Sequence, residues 1–184
     1  MLSILILNKP NITDFAKERN NLLKKAKTDW VLFIDSDEQI TNAKLQITNK
    51  YQSYKLQRKT YFLGKLVEID YPIRIVKKGT GKWVRAVHEV WEPNNLSKVG
   101  KSNEEIVHNT ANNLTDYLNK INNYSTLHAR ANLKEGKRSS LIKIIIYPIG
   151  NLVVHYVKSR NIVFSIMKSL HSFLSWTKLY FLQH

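Results

Sequence analysis

The chain contains no cysteine. Disulfide staples, thiolate metal sites and a cysteine nucleophile are thereby excluded, and the composition fits a reducing compartment. Also missing are a Gly-x-Ser-x-Gly elbow, zinc-ligand spacing, a phosphate-binding glycine loop, internal repeats and low-complexity tracts. Acids are scarce: 14 Asp+Glu stand against 29 Lys+Arg, a formal net charge of +15. Nucleic acid, anionic lipid and phosphorylated small substrates are the usual partners of so basic a surface. Richness in Lys, Asn and Ile is a compositional explanation of the same excess, so charge alone does not choose. Nucleic acid is not expected, because no recognition motif is present and the aromatics cluster with apolar rather than basic residues.

Long apolar runs are lacking as well. The longest uncharged C-terminal stretch, Ile144 to Val157, is fourteen residues and contains Pro148, Gly150, Asn151 and His155. A bilayer-spanning helix needs ~20 mostly apolar residues, so spanning is not expected. Met1 to Leu7 is apolar but has no basic n-region, and Asn8-Lys9-Pro10 ends it after too few residues for a signal peptide. Ser3 to Leu7 reads better as a strand, stopped by Pro10 and the turn-former Asn11.

What is present is a 184-residue chain, 43% hydrophobic, long enough for one domain with a real core. Its organising stretch is Asp14 to Ile40. Phe15, Leu22, Leu23 and Ala26 recur at helical spacing with Lys17, Arg19, Lys24, Lys25 and Lys27 between them. Thr13 or Asp14 supplies an N-cap for a helix running to Lys27. Trp30-Val31-Leu32-Phe33-Ile34 is a continuous apolar run of strand length, as in a strand covered on both faces of an α/β sheet. Asp35-Ser36-Asp37-Glu38 follows at once.

In open α/β sheets, ligands bind beyond the carboxyl ends of the strands. Two carboxylates one residue apart at such an end can reach one hard divalent cation, and Mg²⁺ is typically held by one or two carboxylates plus substrate phosphates. A solvated acidic turn is the alternative, and the buried strand before it favours metal.

Further along, Ile40 to Thr48 is patterned loosely as a helix, and Tyr54 to Phe62 alternates as a strand with one wetter face. Ile73 to Val76, the turn Lys77 to Gly81, and Trp83-Val84 read as a hairpin. Asn94 to Ser102 is a turn-rich loop, followed by Glu104 to His108 as a strand. Leu114 to Leu133 carries one apolar stripe of a helix. From Lys134 to His184 there are eight Lys/Arg and one acid. There Val163, Ile166, Met167, Leu170, Phe173, Leu174 and Trp176 outline a basic amphipathic helix suited to the headgroup region of an anionic membrane. Covering the core is its other use. Trp91 lies two residues from Glu89 on one strand face, placed either to stack on a ring or to fill the core.

Taken together, Arg19-Asn20, Asp29-Trp30-Val31-Leu32, Asp35-Ser36-Asp37-Glu38 and His88-Glu89 resemble, in order, the central segment of family 2 glycosyltransferases. The likeness is to the bacterial lipopolysaccharide-core and surface-polysaccharide branch, and runs from about Phe15 into the C-terminal helices. It implies a partial GT-A, Rossmann-like mixed sheet flanked by helices, with C-terminal amphipathic helices. Residues 1–133 would form the catalytic domain and 134–184 a basic, membrane-associating helical segment.

In such enzymes the first nucleotide-binding strands precede a segment like Asp14–Lys27. The resemblance therefore implies an N-terminally shortened unit, with a separate chain as one source of the missing half. It further implies inverting transfer of a sugar from a nucleotide-sugar donor to a saccharide or lipid-linked acceptor. The setting would be the cytoplasmic face of the cell membrane, in cell-surface polysaccharide or lipopolysaccharide synthesis. Arg19, Asp35, Asp37 and His88 would meet the donor. Asp35, Asp37 and His108 would hold Mg²⁺ or Mn²⁺. Arg74 and Trp91 would line the acceptor side, and Glu89 would be the base. An inactive remnant serving as a membrane-surface or partner-binding module is the second expectation.

Overall fold

The computed structural model describes residues 2–8, 12–41, 47–48, 50–94 and 98–184. Pro10, Asn11 and most of the helix expected from Ile40 to Thr48 lie outside them.

The chain is a mixed α/β protein. Its elements, in order, are β1 (Leu2–Leu7), α1 (Phe15–Lys25), β2 (Trp30–Asp35), β3 (Glu38–Ile40), β4 (Ser53–Phe62), β5 (Lys65–Asp70), β6 (Ile73–Lys77), β7 (Gly81–Val84), β8 (Val90–Pro93), β9 (Val99–Ala111), α2 (Leu114–Lys134), α3 (Leu141–Ser159) and α4 (Ile162–Leu182). A seven-stranded sheet has the order β1-β2-β6-β4-β9-β3, with β5 beside β4, and β7 and β8 form a separate ribbon.

β1 and β2 are parallel, as a strand–helix–strand crossover through α1 requires. β6 is antiparallel to both β2 and β4. The expected β6–β7 hairpin therefore does not form: β6 enters the main sheet, and β7 pairs with β8. Alternation shows that a segment is extended, but not which strand it joins. Similarly, Val99 to Ser102 belongs to the long strand β9 rather than to a loop.

β2 explains its own composition. Val31 and Phe33 pack with Ala16, Leu23, Ala26, Val76, Trp83 and Trp91 on the α1 side. Trp30, Leu32 and Ile34 pack with Tyr54, Leu56, Ile75 and Ile106 on the other. A strand buried on both faces cannot alternate polar with apolar. Parity then puts Asp35 on the face of Val31 and Phe33, beneath α1. Arg74, two residues from Val76, points to that same face.

Two compact units divide the chain: Met1–Lys59 with Ile69–His108, and Thr60–Glu68 with Asn109–His184. The division differs from the expected boundary at 133/134, because α2 belongs with the C-terminal helices. In the second unit Phe62, Val67, Tyr117, Ile121 and Phe164 form the core. α4 packs against both α2 and α3. Lys178 ties α4 to α2 by donating to the Asn122 carbonyl and side chain, each at 2.7 Å, and to Ser125 and Thr126 Oγ atoms, each at 2.8 Å.

Candidate functional site

Arg19 is the centre of the first unit's polar interior. It occupies the buried stripe of α1 with Ala16 and Leu23 and is itself fully buried. The sequence pattern had placed it among the polar fill. The 16–19–23–26 spacing was the signal that it faces inward.

Its Nη2 donates to Asp35 Oδ1 at 2.6 Å and its Nε to Glu89 Oε1 at 2.8 Å. Phe33 and Trp83 flank the guanidinium, with Cζ 5.5 and 5.1 Å from their ring centroids. One planar cation thus joins the end of β2 to the residue just before β8, using the fork that only arginine supplies.

Neighbouring Asn20 holds the frame. Its Nδ2 donates to the Trp83 carbonyl at 2.8 Å, and its Oδ1 accepts from the Trp83 N–H at 2.9 Å. The N-cap is Asp14, whose Oδ1 accepts from Lys17 N–H at 2.9 Å.

The network continues from Asp35. Arg74 Nη2 donates to Asp35 Oδ2 at 3.0 Å and also to Glu38 Oε1. Glu38, 6% exposed, accepts the Asp35 backbone N–H at 3.1 Å and Arg58 Nη1 at 3.2 Å. Arg58 grips Asp70 with both arms, at 2.9 and 2.6 Å. Acids and arginines alternate from Glu89 through Arg19, Asp35, Arg74, Glu38 and Arg58 to Asp70. Burial pushes the Asp35 carboxyl up, but Arg74 and then Arg19 outweigh it and hold it below its ordinary value. The guanidinium of Arg58 is raised: burial opposes its charge, while Asp70 and Glu38 more than compensate.

Asp37 meets the opposite strand. Its Oδ2 lies 3.2 Å from His108 Nε2. This follows from the sheet, because β3 pairs antiparallel with β9 and sets Glu38 opposite His108. Among the described residues no three His, Asp or Glu side chains stand together as a complete metal shell. Asp37 with His108 nevertheless offers an oxygen and a nitrogen donor side by side. Mg²⁺ sites commonly use only one or two protein ligands beside phosphates and water. Asp35, with both oxygens on guanidinium groups, is the weaker fit of the expected three.

The remaining expected residues fall as follows. His88 is exposed, at φ +55°, in a loop where Arg85 also has φ +73°. Non-glycine residues rarely hold that conformation, and it concentrates at functional loops. Trp91 is 3% exposed, its ring 5.5 Å from that of Trp83. It is a core residue, and stacking on a sugar would need it to leave that core. Arg74, expected on the acceptor side, is 4% exposed and engaged with Asp35 and Glu38.

Sequence reasoning assigned no role to Glu38 or Arg58. Their pairing joins β3 to β4, and no spacing within either segment reveals it.

No protein-family model matches the chain, and no curated protein matches it.

Proposed function

We propose that this chain engages a nucleotide-sugar and serves inverting glycosyl transfer to a saccharide or lipid-linked acceptor at an anionic membrane surface. The single observation that carries the reading is the junction at Arg19. It brings the β2-terminal carboxylate and Glu89, distant in sequence and resembling the family 2 motifs, onto one guanidinium.

In this reading Asp37 and His108 would hold Mg²⁺ or Mn²⁺, which when bound neutralises charge on a leaving diphosphate. Glu89 would take the proton of the acceptor hydroxyl, and a single displacement needs no enzyme nucleophile. Arg19 keeps Glu89 oriented, and Asp35 fixes Arg19. The left-handed turn at His88 sets the backbone from which Glu89 projects.

Calorimetry with UDP- and GDP-sugars, with and without Mn²⁺, tests the reading. Metal-dependent binding that Asp37→Ala abolishes supports it. Absence of nucleotide-sugar binding by the intact chain, with metal present, refutes it.

A second reading, a membrane-surface or partner-binding module without turnover, draws on one observation. Asp35 and Glu38 are already neutralised by arginines, as in a structural ion-pair network. It predicts that Glu89→Gln leaves every binding property unchanged.

A further inference from the structure

α3 and α4 form an antiparallel hairpin whose polarity is turned inside out. The pairings run in opposite directions along the two helices. Tyr147 packs on Trp176 at 4.6 Å, Asn151 Nδ2 donates to Ser172 Oγ at 3.2 Å, and His155 packs on Phe164 at 6.0 Å between centroids. Ser169 Oγ also donates to the Pro148 carbonyl at 2.9 Å. The inner face of α3 thus carries Pro148 and Asn151 against Ser169 and Ser172, and His155 against Phe164.

Its outer face carries Ile142, Ile145, Ile146, Ile149, Val153 and Val157, each between 55% and 73% exposed. A helix folded for water does the reverse. Small and hydroxyl side chains inside with branched aliphatics outside is the arrangement of helices that meet lipid.

Three further observations choose lipid as the occupant. α3 spans 19 residues, is long and apolar enough to meet a membrane, and is almost wholly unburied. From Leu141 to His184 the chain has no acid, and Lys143, Lys158 and Arg160 flank α3 at its two ends, matching the charge of anionic headgroups. α4 packs against both α2 and α3, so one face of α3 is covered while its aliphatic face stays open. That layering suits a helix lying in the plane of the bilayer rather than crossing it.

We infer that α3 is a monotopic membrane anchor, its Ile142–Val157 face sunk among the acyl chains of an anionic bilayer. The sequence pattern had pointed to α4. In the fold α4 keeps Val163, Ile166 and Phe173 between 42% and 47% exposed, and α3 adds a more exposed aliphatic face. The inference shares only the membrane location with the proposed function and is independent of the transfer chemistry.

The absence of cysteine permits a direct test on the full chain. Ile149→Cys and, as a distant control, Lys82→Cys are labelled with an environment-sensitive dye and mixed with phosphatidylcholine vesicles, with or without phosphatidylglycerol. The expected result is a blue shift at position 149 alone, stronger with phosphatidylglycerol and persisting after a high-salt wash.

Ile142→Asp with Ile149→Asp should cut vesicle partition by at least about tenfold, with circular dichroism unchanged because both sites are exposed. Binding lost entirely in high salt would mean headgroup attraction alone and overturn the insertion. Equally, a shift at 149 in lipid-free solution that tracks dimer formation by sedimentation would assign the face to a second copy. Loss of nucleotide-sugar binding with partition intact would count against the transfer chemistry and leave the anchor standing.

Discussion

Replacing Arg19 by Met should cost the protein about 3–4 kcal/mol of stability, and the figure can be built from its surroundings. Removing one partner of a buried ion pair typically costs ~3–5 kcal/mol, because the other charge stays buried. Here the lower end applies, since Asp35 keeps Arg74 and the Glu89 side chain retains 17% exposure. Loss of the guanidinium over Phe33 and Trp83 adds roughly 0.5–1 kcal/mol. At about 2–4 °C per kcal/mol for a chain of this size, the melting temperature should fall by roughly 6–16 °C.

Urea titration followed by tryptophan fluorescence is the assay, because Trp30, Trp83 and Trp91 all lie in the first unit. Arg19→Lys should recover only part of the loss, as a single ammonium cannot serve both carboxylates in the same fork geometry. In a double-mutant cycle with Glu89→Gln, the combined cost should fall short of the sum by ~1–2 kcal/mol. A cost below about 1 kcal/mol, or full additivity in the cycle, would show that Arg19 does not join the two carboxylates, and the site built around it would fail.

Other outcomes follow from the same geometry. Because the Asp35 carboxyl is held below its ordinary 3.8, its contribution is complete above that value and is lost as pH falls through the lowered one; Asp35→Asn should make the fall of the urea midpoint below about pH 4 less steep. Gly81→Ala would drive a Cβ to within 2.6 Å of the Trp91 ring and 2.5 Å of the Glu92 carbonyl, costing ~1–3 kcal/mol by thermal melting. Lys178→Met should raise amide exchange along α4 and cost about 1–3 kcal/mol, since four oxygens on α2 lose their shared donor.

The α/β class, α1, β2 and the position of the acids at the end of β2 were legible because each rests on local pattern. An uninterrupted apolar pentapeptide of strand length suits a strand with both faces covered, and the parity of that strand fixes where Asp35 points. What stayed hidden was pairing between distant segments. Nothing in Ile73 to Lys77 says that it lies between β2 and β4. Nothing near Glu38 announces Arg58 or Arg74. Trp91 was ambiguous because an indole suits a core and a sugar equally, and only its burial against Trp83 decides. The open aliphatic face of α3 stayed hidden because charge-free length does not say which face another helix covers.

The paired bonds from Asn20 to the Trp83 backbone copy what a neighbouring strand would provide, so α1 is bolted to the β7–β8 ribbon rather than merely resting on it. Trp83 faces Trp91 across that ribbon, and Glu89 enters it. Any tilt of the ribbon must therefore drag the next side chain along the helix, Arg19, and through it the acid at the end of β2. The ribbon thus reaches the charge cluster by two routes, the Asn20 amide and Glu89 on Arg19, and an Asn20→Ala change would cut one of them while leaving the other in place.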